Sequence, residues 1–207
     1  MALRHRSRLS IRGGALVGLL MFCTSLMALD RNALLDDANL LLLPRERPIP
    51  DIMLVDEQGE AFDTASLNGR WHLLFFGFTA CPDVCPTTLS DMRRLFGQLS
   101  PEVRDQLQLV LVSADPARDT PDALRTYLSY YRAGFKGLTG EMADLQALSN
   151  ALGLPFVPAE KTEGNYNVSH SSNIAIVDPD GKLRGYIRAP LALEGLRQAL
   201  PELIEAK

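Results

Sequence analysis

The sequence predicts an α/β fold in which a mixed sheet is flanked by helices. Two apolar runs of strand length, 73–78 and 107–113, contain no charged residue, which is typical of strands covered on both faces of a sheet. A helical pattern follows each run, and the chain closes with a hairpin and a final helix. Strands that alternate with helices form a parallel sheet, and a hairpin adds antiparallel strands. This order of elements is compatible with a thioredoxin-like fold.

The other elements follow from periodicity and from turn residues. Residues 51–59 predict a small hairpin with its turn at 56–59, and 178–181 predict the turn of the C-terminal hairpin. Thr120 followed by Pro121 is typical of an N-cap with proline at the first helical position. The predicted helices span 86–99, 121–131, 142–152 and 193–204, and the last two strands span 173–177 and 182–187.

Length and composition favour one folded domain with an N-terminal appendage. The chain has 207 residues, and 46% of them are hydrophobic, which is enough for one ordinary core. The net charge is −4, the pI is about 5.4 and no long basic run occurs, so the sequence gives no electrostatic case for nucleic-acid binding. We divide the chain into a basic cytoplasmic N-terminus, an apolar segment, a linker and a folded domain, over 1–12, 13–29, 30–47 and 48–207.

The apolar segment 13–29 is expected to remain as a single-pass membrane anchor. At about 1.5 Å per helical residue, its length is near the lower limit for crossing a bilayer. A cleaved export signal is the alternative, but bulky Leu26 lies two residues before Ala28, the residue best suited to precede a cut. Four arginines before the segment favour a cytoplasmic N-terminus and a domain on the periplasmic side of the inner membrane. Three prolines within 44–50 predict a semi-extended linker that ends near residue 48.

Two cysteines carry the candidate chemistry. Cys81 and Cys85 lie between a predicted buried strand and a predicted helix, whereas Cys23 lies in the apolar segment. The start of a helix presents free N–H groups and a partial positive charge, which stabilise a thiolate. A four-residue offset is about one helical turn, so both sulfurs can converge on one ion, and paired thiolates favour copper(I) or zinc. A plain disulfide across so short a loop would stabilise the fold little.

Two histidines are candidates for a third ligand. His72 opens the first apolar run and is expected to be a partly exposed residue at a strand end. His170 lies in a polar loop before the strand predicted from 173, and in a thioredoxin-like sheet this loop packs beside the cysteine turn. Residue type alone leaves His170 equally a ligand or a solvated loop residue. Two thiolates and an imidazole suit trigonal copper(I), and zinc with a fourth ligand stays an alternative.

Three motifs resemble the successive signatures of the Sco/SenC family. They are FTACPDVCP at 78–86, DPARDTP at 115–121 and YNVSHS at 166–171. The resemblance extends from about residue 48 to the C-terminus and includes the N-terminal anchor. It implies a thioredoxin-like fold and binding of copper(I) and copper(II) through Cys81, Cys85 and His170. It further implies a role in building the copper centre of cytochrome c oxidase, with the copper-site subunit and an upstream copper donor or thiol reductant as partners.

One position departs from the family pattern. The family often has aspartate immediately before the histidine, where this chain has Ser169. A missing carboxylate removes no ligand, but it alters a contact around the histidine or the docking of a partner. The residue types of 115–121 already suit a strand end and a helix start, so this motif is assigned to structure. Asp83 is expected either to cap the following turn or to meet a partner. The residues expected in the core are Met142, Phe75, Phe76 and Phe78.

Three functions compete for this site. The first is a metallochaperone that binds copper and passes it on by ligand exchange. The second is a membrane-anchored thiol-disulfide reductase that keeps the copper-site cysteines of an oxidase reduced. The Cys-x-x-x-Cys spacing and the lack of a proline over 169–173 weigh against the reductase. The third is a peroxidase, or a redox and copper sensor, on the same fold. A peroxidase requires an arginine beside the thiolate to activate the peroxide. The candidate arginines are Arg118, Arg93 and Arg94.

Overall fold

The structure, a computed structural model, describes residues 35–160 and 166–206. The strands of this part are β1 Leu40–Pro48, β2 Met53–Asp56, β3 Ala61–Asp63, β4 Trp71–Gly77, β5 Leu107–Ser113, β6 Lys136–Thr139, β7 Phe156–Val157, β8 Ser169–His170, β9 Ile174–Val177 and β10 Lys182–Ile187. The helices are α1 Val84–Phe96, α2 Pro101–Arg104, α3 Pro121–Ser129, α4 Met142–Leu152 and α5 Leu193–Glu205, with a 3-10 turn at Thr64–Ser66. Eight of these strands form one sheet in the order β1-β10-β9-β4-β5-β6-β2-β3, and β7 and β8 form a second, small sheet.

The main sheet is mixed, as the sequence predicts. β4 pairs in parallel with β5, β5 pairs in parallel with β6, and β4 pairs antiparallel with β9. Every residue of β4 is buried, because α1, α3 and α5 cover one face of the sheet and α4 covers the other. Side chains alternate between the two faces, so Phe75 packs under α1 whereas Phe76 and the following Phe78 pack on the opposite side. All three phenylalanines lie in the core, as predicted.

Local signals place several element boundaries correctly. The Thr120 hydroxyl accepts a hydrogen bond from the Ala123 N–H and Pro121 opens α3, which confirms the predicted N-cap. The hairpin of β2 and β3 turns through Gly59, whose φ of 86° favours glycine. Gly181 closes the turn between β9 and β10 with a φ of 71°. Met142 begins α4 and packs partly buried against the core.

The strand β1 corrects the predicted linker. It pairs antiparallel with β10 along the sheet edge, starting with Leu40 opposite Ile187. Leu40 is buried, and the register shifts in the middle of the strand, where Pro44 lies. Edge strands tolerate proline and charged side chains, since one side of an edge strand needs no ladder partner. Residues 40–47, predicted as part of an extended linker, therefore belong to the main sheet.

The predicted N-terminal anchor, 13–29, lies outside the described residues. The same is true of Cys23 and of the basic N-terminus, 1–12. Among the residues that the structure describes, no helix has the length and apolar character needed to span a bilayer.

His72 is buried, contrary to the expectation of a partly exposed strand end. Its side chain is 7% exposed on β4, between β5 and β9. Within the described part of the chain its Nδ1 has no hydrogen-bond partner. Burial, followed by the positive charge of Arg70, lowers the pKa of His72 from 6.5 to about 4. The imidazole is therefore neutral in the folded protein at pH 7.

We expect the free energy of unfolding to fall as the pH is lowered from 6.5 to about 4. In this window the unfolded chain protonates His72 while the folded chain does not. The stability that neutral His72 contributes is thus complete above pH 6.5 and is lost as the pH falls, by about 3 kcal/mol. Urea unfolding of the wild type and of His72→Gln at both ends of the window measures this contribution. A fall of equal size in both proteins would contradict it.

Candidate metal centre

The turn between β4 and α1 places the two cysteines at one end of the central strand. Cys85 lies in the first turn of α1 and is fully buried, whereas Cys81 precedes the helix and is partly exposed. The Cys85 N–H donates to the Cys81 sulfur over 3.4 Å, so a free donor of the helix N-terminus points at that sulfur. Both thiols are free.

The histidine reaches the cysteines because the strand that follows it is the neighbour of β4. β9 pairs with β4, with Ile174 opposite Phe75, and β8 ends at His170, four residues before Ile174. The His170 Nε2 lies 3.9 Å from the Cys81 Sγ and 3.5 Å from the Cys85 Sγ. The three candidate ligand atoms all lie within 4.8 Å of one another. The structure thus brings together all three residues that the sequence proposed.

The imidazole presents a lone pair to the two sulfurs. The His170 Nδ1 lies 3.0 Å from the Ser171 carbonyl oxygen, which can only accept, so Nδ1 carries the proton and Nε2 is bare. Burial lowers the pKa of His170 below its ordinary value, against the opposing effect of this hydrogen bond. The ring is also fixed in orientation, since Phe75 and Phe78 each meet it edge to face at 5.8 Å between centroids.

The electrostatics of Cys85 differ from the sequence expectation. The helix start was expected to stabilise a thiolate, but burial raises the pKa of the Cys85 thiol well above its usual range. A hydrogen bond from the Phe78 backbone acts in the opposite direction and is outweighed. Cys85 is therefore a thiol in the metal-free protein. An ion that binds here must displace the proton from its sulfur, which couples metal binding to proton release.

Chemically, the group can bind one soft metal ion. Two sulfurs and an imidazole nitrogen are donors that favour copper(I) or zinc over magnesium and calcium. The partial exposure of Cys81 leaves one side of the group open to solvent. Two neighbouring thiols can also exchange with a disulfide, so the same pair supports redox chemistry.

The second motif holds the cysteine loop in place. Asp119, fully buried, accepts hydrogen bonds from the Thr79 N–H at 3.1 Å and from the Thr79 hydroxyl at 2.6 Å. Its other oxygen accepts from the Ser113 hydroxyl at 2.7 Å. Burial raises the pKa of Asp119, and the donors on Thr79 and Ser113 counter that effect. The motif is structural, as predicted, and it supports the loop that carries Cys81.

The remaining candidates take separate positions. Asp83 is exposed and its side chain makes no capping hydrogen bond, so the capping alternative does not hold. Ser169 is exposed and pairs with Val157 across the small sheet. Arg93 and Arg94 lie two turns beyond Cys85 on α1 and line a cleft with other arginines, so neither can activate a peroxide at the thiols. Among the three peroxidase candidates, only Arg118 packs on a residue of the site, Phe78.

Sequence reasoning missed Gly77, which leaves room for the Cys85 sulfur. A Cβ at this position would stand 2.7 Å from the Cys85 Sγ and 3.0 Å from Leu111 Cδ1. Real Cβ atoms do not approach that closely, so glycine is required by the packing of the thiol. The signal was a single glycine at the end of an otherwise bulky apolar run, which often marks a close approach.

We expect Gly77→Ala to lower the free energy of unfolding of the reduced protein by about 1–3 kcal/mol, because it overpacks the site. Adding Cys85→Ala removes the sulfur that the new methyl group meets and should restore part of the loss. Gly97→Ala is the matched control, since its nearest contacts at 3.5 Å are ordinary. Denaturant unfolding measures all of these variants. Equal stability of Gly77→Ala and the wild type would contradict the role of this glycine.

Known proteins with the same features were found by sequence and by structure. A family model described as SCO1/SenC matches residues 45–205. A protein of Stutzerimonas stutzeri, provisionally named as copper-binding, is 70% identical over 179 residues, which are 86% of this chain and 88% of that protein. Yeast Sco1 with copper bound aligns at a TM-score of 0.71 and 27% identity, over 78% of this chain and 90% of the yeast chain. ScoI of Bradyrhizobium japonicum with copper bound aligns at a TM-score of 0.66 and 28% identity, over 75% and 98%.

The fold and the site together define a thioredoxin-like domain with a Cys₂His group for a soft metal ion. The group lies after the central strand, where the start of α1 and the end of β8 come together. The family match covers most of the chain and includes all three candidate ligands. The chain belongs to the SCO1/SenC family.

Proposed function

We propose that the protein is a copper metallochaperone that binds copper through Cys81, Cys85 and His170 and helps assemble the copper centre of cytochrome c oxidase. The observation that carries the proposal is the convergence of the three ligand atoms within 4.8 Å. The two copper-bound relatives, which share the fold and about 27% of their residues with this chain, support copper as the ion.

Copper(I) suits this group because it accepts a low coordination number and prefers thiolate ligands. Cys81 is partly exposed, so an incoming thiolate of the receiving subunit can reach the ion from that side. Cys85 is fully buried, so its sulfur is the ligand least accessible to an incoming group. Transfer then proceeds by stepwise ligand exchange, in which Cys81 is the first ligand to leave. Copper(II) is a second cargo of the same ligands.

The redox state of the cysteine pair controls loading. A two-electron oxidant, such as a protein disulfide, joins the two sulfurs, removes two electrons and leaves two thiols on the oxidant. A disulfide offers no thiolate, so the oxidised protein loses its copper(I) site. The close approach of two free thiols also supports the alternative function, a reductase for the oxidase cysteines.

A transfer assay separates these functions. The reduced, copper(I)-loaded protein is mixed anaerobically with the metal-free copper domain of an oxidase subunit, and copper on each partner is measured after separation. In parallel, the metal-free reduced protein is mixed with the same domain in its disulfide form, and the thiols on the oxidase domain are counted after the two proteins are separated, since each pair gained there is lost from Cys81 and Cys85. The proposal predicts copper transfer in the first arm. Copper that stays in place, with thiols appearing in the second arm, would favour the reductase.

We further propose that segment 13–29 anchors the domain to the periplasmic face of the inner membrane. The four arginines before the segment support this orientation. Membrane fractionation followed by protease treatment of spheroplasts tests it. The domain should sediment with the membranes and be digested from outside, whereas recovery in the soluble periplasm would indicate a cleaved signal.

A further inference from the structure

The segment that carries His170 is fastened to the rest of the domain through a tyrosine. The Tyr166 hydroxyl donates to Asp115 Oδ1 over 2.9 Å, and Tyr166 stands four residues before His170. Asp115 is 3% exposed and lies two residues after the buried end of β5, so its position is closely tied to the sheet. A hydrogen bond to a buried carboxylate is stronger than one between neutral groups.

Arg118 completes this attachment and connects it to the site. Its guanidinium pairs with Asp115 and lies 3.6 Å from the centre of the Tyr166 ring and 5.4 Å from that of Phe78. In the described residues its Nη2 is buried and has no hydrogen-bond partner, so contact with the two rings adds to the Asp115 ion pair in offsetting the desolvation of the guanidinium. The ring of Phe78 in turn meets the His170 imidazole edge to face. We call Asp115, Arg118 and Tyr166 the clasp.

Within 35–160 and 166–206, the other contacts of the histidine segment are the burial of Val168 in the core and a short backbone ladder. The small sheet supplies a two-residue ladder, in which His170 stands opposite Phe156. One further backbone bond joins the Ser171 N–H to the Pro155 carbonyl at 3.1 Å. A two-stranded ladder of this length is marginal by itself. The clasp therefore fastens the start of this segment, and the position of the imidazole relative to the two sulfurs depends on the clasp together with the ring contacts of Phe75 and Phe78.

We propose that Tyr166 is a positioning residue for His170, and that the clasp holds the imidazole at the cysteines before copper arrives. This inference rests on the proposed function, since it concerns the copper site. A ligand that is already in place loses little conformational freedom on binding, which raises metal affinity. Without the clasp the histidine segment samples other positions, and part of the free energy of copper binding is used to order it. Residues around metal ligands commonly change affinity by ten- to a hundredfold in this way.

A double-mutant cycle tests the proposal. Tyr166→Phe removes one hydroxyl and keeps the ring, so we expect copper(I) affinity to fall about tenfold while the fold is retained. If Tyr166 acts through His170, the same substitution in the His170→Ala background should have no effect on affinity. Tyr131→Phe is the matched control, because it removes a hydroxyl that bonds to Tyr127 instead. Competition with a copper(I) chelator measures all five proteins, including the wild type.

Each outcome decides one claim. A wild type that binds no copper would refute the proposed function. If Tyr166→Phe binds copper(I) as tightly as the wild type, the clasp is refuted and the proposed function stands. The same holds if Tyr166→Phe still lowers copper(I) affinity tenfold in the His170→Ala background. Arg118→Lys provides a second variant, since it keeps the charge but loses the planar face that stacks on Tyr166. In metal-free protein, the NMR signals of the His170 ring should broaden or shift in both clasp variants and stay unchanged in Tyr131→Phe.

Discussion

The double variant Cys81→Ser, Cys85→Ser is expected to lose copper(I) binding altogether. Both sulfurs lie within 3.9 Å of the His170 nitrogen, so the substitution leaves one imidazole and two hydroxyls around the site. Hydroxyl oxygen is a poor ligand for copper(I), which prefers thiolates. The measurement is an anaerobic titration of the reduced protein against a chelator of known affinity.

A third cysteine supplies the control for this prediction. Cys23→Ser changes a thiol in the apolar N-terminal segment and should leave the copper stoichiometry at the wild-type value. Copper that persists in the double variant would show that the ion binds elsewhere, and the assignment of the site would then fail. Loss of copper in Cys23→Ser would contradict the assignment equally.

Asp119→Ala is expected to lower the free energy of unfolding by about 3–5 kcal/mol. Removing the carboxylate leaves the Thr79 N–H, the Thr79 hydroxyl and the Ser113 hydroxyl without their acceptor in a buried position. Each unsatisfied buried donor costs about 1–3 kcal/mol, and water that enters the vacated space offsets part of the sum. Chemical denaturation of the reduced protein measures the change.

Two further substitutions serve as references for the loss of stability in Asp119→Ala. Asp122→Ala removes a carboxylate whose side chain is 81% exposed and which pairs with Arg125, so it should change stability by no more than about 0.5 kcal/mol. Asp119→Asn keeps one acceptor oxygen, so its free energy of unfolding should lie between those of Asp119→Ala and Asp122→Ala. A stability for Asp119→Ala within the range of Asp122→Ala would contradict the role of this motif in holding the cysteine loop.

The core of the fold was predictable because its signals are local. The runs that became β4 and β5 are mostly apolar and contain no Asp, Glu, Lys or Arg, and a strand covered on both faces leaves that pattern in the sequence. Thr120 and Pro121 marked the start of α3 through capping chemistry that involves only neighbouring residues. The turns at Gly59 and Gly181 were predicted from neighbouring residues in the same way.

Elements that depend on distant partners were not predictable in the same way. β1 carries a charged, proline-containing stretch, and only its pairing with β10 makes it a strand. β6 is four residues long and was missed, since its place in the sheet comes from β5 and β2 on either side. His72 is buried because β5 and β9 flank it, which the residues around it do not reveal.

The residues of the candidate site also differ in whether neighbouring or distant residues determine their positions. The spacing of Cys81 and Cys85 was sufficient to predict two converging sulfurs. Cys81 lies in the turn before α1 and Cys85 in the first turn of that helix, so the two residues are close along the chain. His170 is 85 residues from Cys85, and residue type alone did not separate a ligand from a solvated loop residue. The order of the strands and the family resemblance were needed to bring it to the cysteines. The contacts of Asp119 and Tyr166 became visible only in three dimensions.

Copper K-edge X-ray absorption of the copper(I)-loaded protein tests the central claim most directly, because it counts the atoms bound to the ion. The proposed site predicts two sulfur ligands and one imidazole nitrogen in the wild type. His170→Ala should lose the imidazole contribution and keep both sulfurs. A wild-type spectrum without the imidazole, or a spectrum that His170→Ala leaves unchanged, would contradict binding of copper by Cys81, Cys85 and His170.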